Sequence, residues 1–152
     1  MSAASTDLIT ARGVRKSFGL REVLLDIDLS VLAGNITVIL GTNGAGKTTL
    51  LRILGLLETA DEGTVAYDSI VPAVSTITYG PSTRNPAQDQ RYLSLRRQML
   101  LAFQHPAIFS GSVLSNVTYG LQLRGVSRAE AEDRSMAALR ETGIADRARQ
   151  HA

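Results

Sequence analysis

No cysteine occurs in the 152 residues, so disulfides, cysteine-ligated zinc and thiol catalysis are excluded together. That absence suits a reducing compartment. No apolar run approaches membrane-spanning length, so a role at a bilayer would have to come through a partner. The start, Met1-Ser2-Ala3-Ala4-Ser5-Thr6-Asp7, has no basic beginning and no apolar core, and does not read as a signal peptide. Charge of one sign is also scarce. A formal balance of +2 points away from non-specific nucleic-acid binding. At 44% hydrophobic, the sequence has enough apolar material for one globular domain with a real core.

Against these absences one stretch stands out. Gly41-Thr42-Asn43-Gly44-Ala45-Gly46-Lys47-Thr48, followed by Thr49, matches G-x-x-x-x-G-K-[ST], the phosphate-binding loop. Residues 36–40 before it read as a short, buried, β-branched strand. Residues 47–57 after it read as a helix with apolar positions at Leu50, Leu51, Ile53, Leu54 and Leu57. Without a Cβ, Gly41, Gly44 and Gly46 let the backbone wrap closely around an anion. The N–H groups of such a loop point at a polyphosphate, and the helix adds its positive N-terminal end. Lys47 can reach the β- and γ-phosphates, and the Thr48 hydroxyl can ligate Mg²⁺. The expected ligand is a nucleoside triphosphate.

Around the loop the chain is organised as follows. Residues 1–7 read as a disordered tail and residues 8–15 as a first strand. From Val23 to Val31 the residues alternate, with Val23, Leu25, Ile27, Leu29 and Val31 expected on one buried face of an antiparallel strand. Residues 63–67 read as another short strand. Residues 68–94, punctuated by Pro72, Pro81 and Pro86, read as a solvated excursion with a small hairpin around residues 75–79. Residues 99–103 are apolar enough for a second buried strand. Ser112 can cap a helix, and Ser127-Arg128-Ala129-Glu130 is a capping box for another, closed by Gly143 with Leu139 and Ile144 at contact spacing. Residues 146–152 run on without reaching another element.

Taken together, the loop as GTNGAGKTT, Phe18 upstream of it, and Phe103-Gln104-His105-Pro106-Ala107-Ile108-Phe109 with Ser112-Val113 and Asn116-Val117 resemble the N-terminal part of an ATP-binding cassette (ABC) transporter ATPase. The resemblance runs from about Leu8 to the last residue. It implies an α/β P-loop NTPase fold, an ABC nucleotide-binding domain with an N-terminal antiparallel β layer. Residues 8–104 would form the nucleotide-binding core and residues 105–152 part of a helical subdomain. It implies ATP and Mg²⁺ as cofactors. Phe18 would stack on adenine and Val23 would lie near the ribose. Gly41, Thr42, Asn43, Gly44, Ala45, Gly46 and Lys47 would cradle the phosphates, with Thr49 near the α-phosphate. Thr48 and Gln104 would serve Mg²⁺, Gln104 also contacting the attacking water. His105 and His151 are given no ligand role.

The resemblance also implies partners: a transmembrane permease subunit docking on residues 106–124, and a second ATP-binding subunit. Location would be cytoplasmic, peripheral on the inner face of the membrane. Residues 119–125 with Asn116-Val117 look most like importers, including those for oxyanions such as tungstate, molybdate or phosphate.

Three family features find no match in these residues: the Leu-Ser-Gly-Gly signature, an apolar strand ending in Asp-Glu, and the switch histidine. Asp61-Glu62 follows the polar Thr59-Ala60 rather than a strand. The expectation is therefore a chain truncated before the signature and Walker B segments, binding Mg-ATP with very slow hydrolysis and leaving strand edges exposed. Two alternatives stand beside the transporter reading: a non-hydrolysing regulatory module of the same fold, and a different phosphate-loop enzyme such as a kinase or GTPase. The last leaves Phe18 and the FQHP segment unexplained, and no Asn-Lys-x-Asp string is present.

Overall fold

The computed structural model describes residues 7–68 and 76–152. The tail expected over residues 1–7 lies outside them save for Asp7, which opens the first strand. The chain divides into two compact units, meeting in sequence between Leu101 and Ala102.

The first unit is built on a four-stranded antiparallel sheet. Its strands are β1 (Asp7–Phe18), β2 (Arg21–Leu32), β3 (Glu62–Tyr67) and β4 (Thr76–Tyr79), in the order β2-β1-β3-β4. The helix α1 (Lys47–Leu54) supplies Leu50, Ile53 and Leu54 to a core with Ala11, Val14, Leu24, Val65, Tyr67, Ile77 and Tyr79. Tyr67 ties the layers together, donating its buried hydroxyl to the Leu54 carbonyl at 2.8 Å. Beyond β4, a short helix α2 (Leu93–Arg96) adds Leu95.

The strict alternation expected for β2 fails in its first half. Leu24, expected outside, is buried, while Leu25 turns to solvent. Asp26 stands at φ +54° where the register against β1 shifts. An extra residue in β2 makes a bulge there, and one extra residue moves the side chains before it to the opposite face.

Two expected strands are not strands. Residues 36–40 run without a ladder partner among the described residues, with Ile36 94% and Leu40 86% exposed; only Ile39 packs on the core. Residues 99–103 are likewise outside any ladder, with Leu100 92% exposed. Both runs are apolar and β-branched or bulky, so propensity favours an extended strand. A buried strand further requires neighbours for its N–H and C=O groups, and the antiparallel sheet provides none here. Beside these runs lies an apolar pocket of about 430 Å³, lined by Ile9, Leu29, Val31, Ile39, Leu54 and Met99 among others.

The second unit holds α3 (Val113–Gln122) and α4 (Arg128–Glu141). Ser112 caps α3 by accepting the Ser115 N–H at 3.1 Å. Ser127 caps α4 through the Glu130 N–H at 3.4 Å, but the Glu130 carboxylate pairs with Arg134 instead of returning to the cap. At the far end Gly143 is left-handed, φ +74°; its N–H bonds Arg140 and that of Ile144 bonds Leu139, closing the helix as expected. The final residues do reach an element. The Ala148 and Gln150 carbonyls accept the Leu114 and Val113 N–H groups at 2.9 Å each, and His151 bridges Ser112. The tail thereby satisfies donors that the first turn of α3 leaves open.

Candidate functional site

The glycine loop enters α1 without any cap from the protein. Gly46, at φ +85°, occupies the N-cap position with no side-chain acceptor, and the first turn carries no acidic residue. The first-turn N–H groups of an α-helix have no intrahelical partner, so this end is open to an anion. Gly46 itself is buried against β2. A Cβ there would stand 2.7 Å from the Val23 carbonyl oxygen and 2.8 Å from Leu24 Cδ2. The loop thus lies on the start of β2, which fixes where it sits relative to the β1–β2 turn.

Lys47 is folded onto the loop. Its Nζ donates to the Gly41 carbonyl at 2.8 Å and the Thr42 carbonyl at 2.7 Å. A phosphate oxygen is a stronger acceptor for an ammonium than a neutral carbonyl, so the lysine is placed to exchange these bonds for a ligand's. The Thr42 carbonyl also accepts the Ala45 N–H at 3.3 Å, which tightens the turn containing Asn43 and Gly44. Thr48 is exposed and Thr49 half-buried.

Phe18 ends β1 with its ring half exposed, and Val23 is half-buried two residues into β2. The structure supplies a support for Phe18 that residue patterns did not reveal. The Lys16 ammonium lies 5.2 Å from the Phe18 ring centroid, and reaches Asp61 at 3.2 Å and Glu58 at 3.6 Å. Asp61 also accepts the Ser17 N–H at 2.7 Å. The chain leaving α1 therefore holds the end of β1 in place. The only sequence signal for this was Asp61-Glu62 itself. Both carboxylates are engaged, Asp61 with Lys16 and the Ser17 N–H and Glu62 with Arg15 at 3.8 Å.

In the second unit Gln104 lies in an exposed bend, and His105 beside it is exposed. The segment after it is clamped by Asn116, which accepts the Phe109 N–H at 2.8 Å and donates to the Phe109 carbonyl at 2.9 Å. This two-way bond presents the Phe109 ring to Tyr119, with centroids 4.7 Å apart.

An open glycine loop on a helix N-terminus, braced by an antiparallel sheet, is the local arrangement of the phosphate-loop motif. The ABC transporter family model matches residues 24–152, and the chain belongs to that family. It is similar to the lipoprotein-releasing system ATP-binding protein LolD of Bacteroides thetaiotaomicron, 37% identical over 144 residues that cover 93% of this chain and 60% of LolD. It is also similar to the aliphatic sulfonates import ATP-binding protein SsuB of Corynebacterium glutamicum, 35% identical over 138 residues, 90% of this chain and 45% of SsuB. The chain spans about 60% of the length of LolD and less of SsuB. Among solved structures, cbiO1 from Clostridium perfringens, part of the ABC transporter complex cbiONQ, aligns with a TM-score of 0.74 over 95% of this chain and 54% of that one. At 24% identity that likeness speaks for the fold. The fold class expected from the sequence is the one these relatives share.

Proposed function

We propose that this chain is the Mg-ATP-binding portion of an ABC transporter's energising subunit. The observation that carries the reading is the uncapped N-terminus of α1, with Lys47 bonded only to the loop's own carbonyls. In this reading the loop N–H groups and Lys47 hold the β- and γ-phosphates, Thr49 lies by the α-phosphate, and Phe18 with Val23 takes the adenosine. Thr48 would supply an oxygen to Mg²⁺, and the family resemblance would give Gln104 a contact with the ion. No cluster of three or more acidic or histidine side chains occurs among the described residues. Mg²⁺ typically takes one or two protein oxygens alongside substrate phosphates and water, and the exposed Thr48 hydroxyl at the start of α1 is one such oxygen. When bound, the ion neutralises charge on the phosphates.

Coupling would run from Gln104 to residues 106–124, a segment that exposes Ile108, Phe109, Tyr119 and Leu123 as an apolar surface for a permease subunit. No described helix is long and apolar enough to cross a membrane. In this reading the chain sits on the inner face, peripherally, through that partner. A second ATP-binding subunit would complete the working pair. Import is the favoured direction on the residue pattern at 116–125, with oxyanion importers among the types that pattern resembles.

Turnover needs a carboxylate base beside the γ-phosphate. With Asp61 and Glu62 held by Lys16, Ser17 and Arg15, the 152 residues favour the second reading for this chain by itself: nucleotide binding without appreciable hydrolysis. Equilibrium titration with ATP, with and without Mg²⁺, tests the proposal, and phosphate release on the same sample separates the two readings. Strong preference for GTP over ATP would instead favour a different phosphate-loop enzyme.

A further inference from the structure

We infer that Arg21 is a second cationic clamp on the nucleotide's polyphosphate, acting from the β1–β2 turn opposite Lys47. The inference rests on the proposed nucleotide site and adds to it a residue that no motif marks. Phe18 and Arg21 face each other across the two-residue turn Gly19-Leu20. From there the Arg21 guanidinium reaches over the glycine loop: its Nη2 stands 3.5 Å from where a Cβ on Gly44 would be. Lys47 lies against the other arm, its Cδ 3.8 Å from the corresponding position on Gly41. Both cations therefore lie against the loop.

Glu22, next to Arg21 in sequence, and Asp28 further along β2 are committed elsewhere. Glu22 pairs with Arg15 at 4.0 Å, while Asp28 accepts the Gly13 N–H at 2.8 Å and pairs with Arg12 at 4.0 Å. Neither Arg21 nor Lys47 has a carboxylate partner among the described residues. Two unpaired cations next to a helix N-terminus and a row of N–H groups concentrate positive potential in one place. An anion carrying several charges relieves it. Guanidinium suits this task because its forked donors match two oxygens of a phosphate at once. Arg21 also stands directly across from the ring proposed to stack on the base, so a single turn would hold both ends of one nucleotide.

Calorimetric titration of the chain and its R21Q, R21K and K47A variants with Mg-ATP, inorganic tripolyphosphate and adenosine tests the inference. R21Q is expected to weaken Mg-ATP and tripolyphosphate by a similar factor, about tenfold, the scale of one charge-assisted hydrogen bond. Adenosine affinity stays as in the parent, and R21K recovers part of the loss. Parental Mg-ATP affinity in R21Q, alongside loss in K47A, would overturn the role of Arg21 and leave the site intact. So would a loss in R21Q as large for adenosine as for tripolyphosphate, since that places Arg21 on the base. Absence of Mg-ATP binding in the parent chain would overturn the site reading and this inference with it.

Discussion

Replacing Gly46 by alanine separates two costs that the structure assigns to this position. Left-handed backbone disfavours any residue with a Cβ by roughly 1–2 kcal/mol. Gly34, at φ +73° in the turn after β2, carries that cost alone, because a Cβ there meets nothing within 4 Å. Gly46 adds a collision: its Cβ would fall 2.7 Å from the Val23 oxygen and 3.1 Å from Val23 Cγ1, and backbone cannot swing aside as a flexible side chain does. Overpacking of this kind costs about 1–3 kcal/mol. Gly34→Ala should therefore lose roughly 1–2 kcal/mol and Gly46→Ala roughly 2–5 kcal/mol. For a chain of this size each kilocalorie shifts Tm by about 2–4 °C. Thermal unfolding followed by circular dichroism measures both. The strain in Gly46→Ala is relieved most cheaply by lifting the loop off β2, so its Mg-ATP affinity should fall too, while Gly34→Ala binds normally. Equal Tm losses in the two variants, with equal nucleotide affinity, would refute the idea that β2 seats the phosphate loop.

Three further outcomes follow from the packing. Tyr67→Phe removes the hydroxyl that satisfies the Leu54 carbonyl and should cost about 1–2 kcal/mol in denaturant unfolding, whereas Tyr79→Phe deletes a buried hydroxyl with no partner among the described residues and should be neutral or stabilising. Burial, first, and neighbouring phenols push the Tyr67 and Tyr79 hydroxyls well above the ordinary value of 10.0. Ionising either phenol is therefore disfavoured in the folded state, so stability is undiminished below pH 10 and falls as pH rises above it. Alkaline titration should show folding stability declining above pH 10, with both phenolates appearing in the ultraviolet spectrum only as the fold melts. Asn116→Ala should release the segment at Phe109, raising hydrogen exchange at the Phe109 amide while leaving Mg-ATP affinity unchanged.

The parts of this fold that were legible in the sequence are those with local chemistry. The glycine loop, the Ser112 and Ser127 caps and the left-handed stop at Gly143 each depend on a few consecutive residue types, and the structure places them where those types require. What was not legible depends on distant partners. Residues 36–40 have strand propensity, yet a ladder needs another segment, and composition says nothing of whether one is alongside. The bulge at Asp26 shifts an otherwise regular alternation because the pairing with β1, not the residue sequence of β2 alone, sets the register. The docking of residues 148–152 on α3 is made by backbone carbonyls and leaves no side-chain signature. Around the site, Asp61 was visible only as half of an acidic pair; its grip on Lys16 and the Ser17 amide is a contact across 44 residues of chain.

The central claim is that the loop from Gly41 to Thr48, with Lys47, grips the phosphates of an adenine nucleotide. Titration of the folded chain with ATP, with and without Mg²⁺, against its Lys47→Ala variant tests this most directly. The account predicts magnesium-dependent saturable binding, weakened at least about tenfold in Lys47→Ala, as loss of a charge-assisted contact requires. A well-folded chain with no magnesium-dependent affinity for ATP, or one whose affinity is indifferent to Lys47, would contradict it.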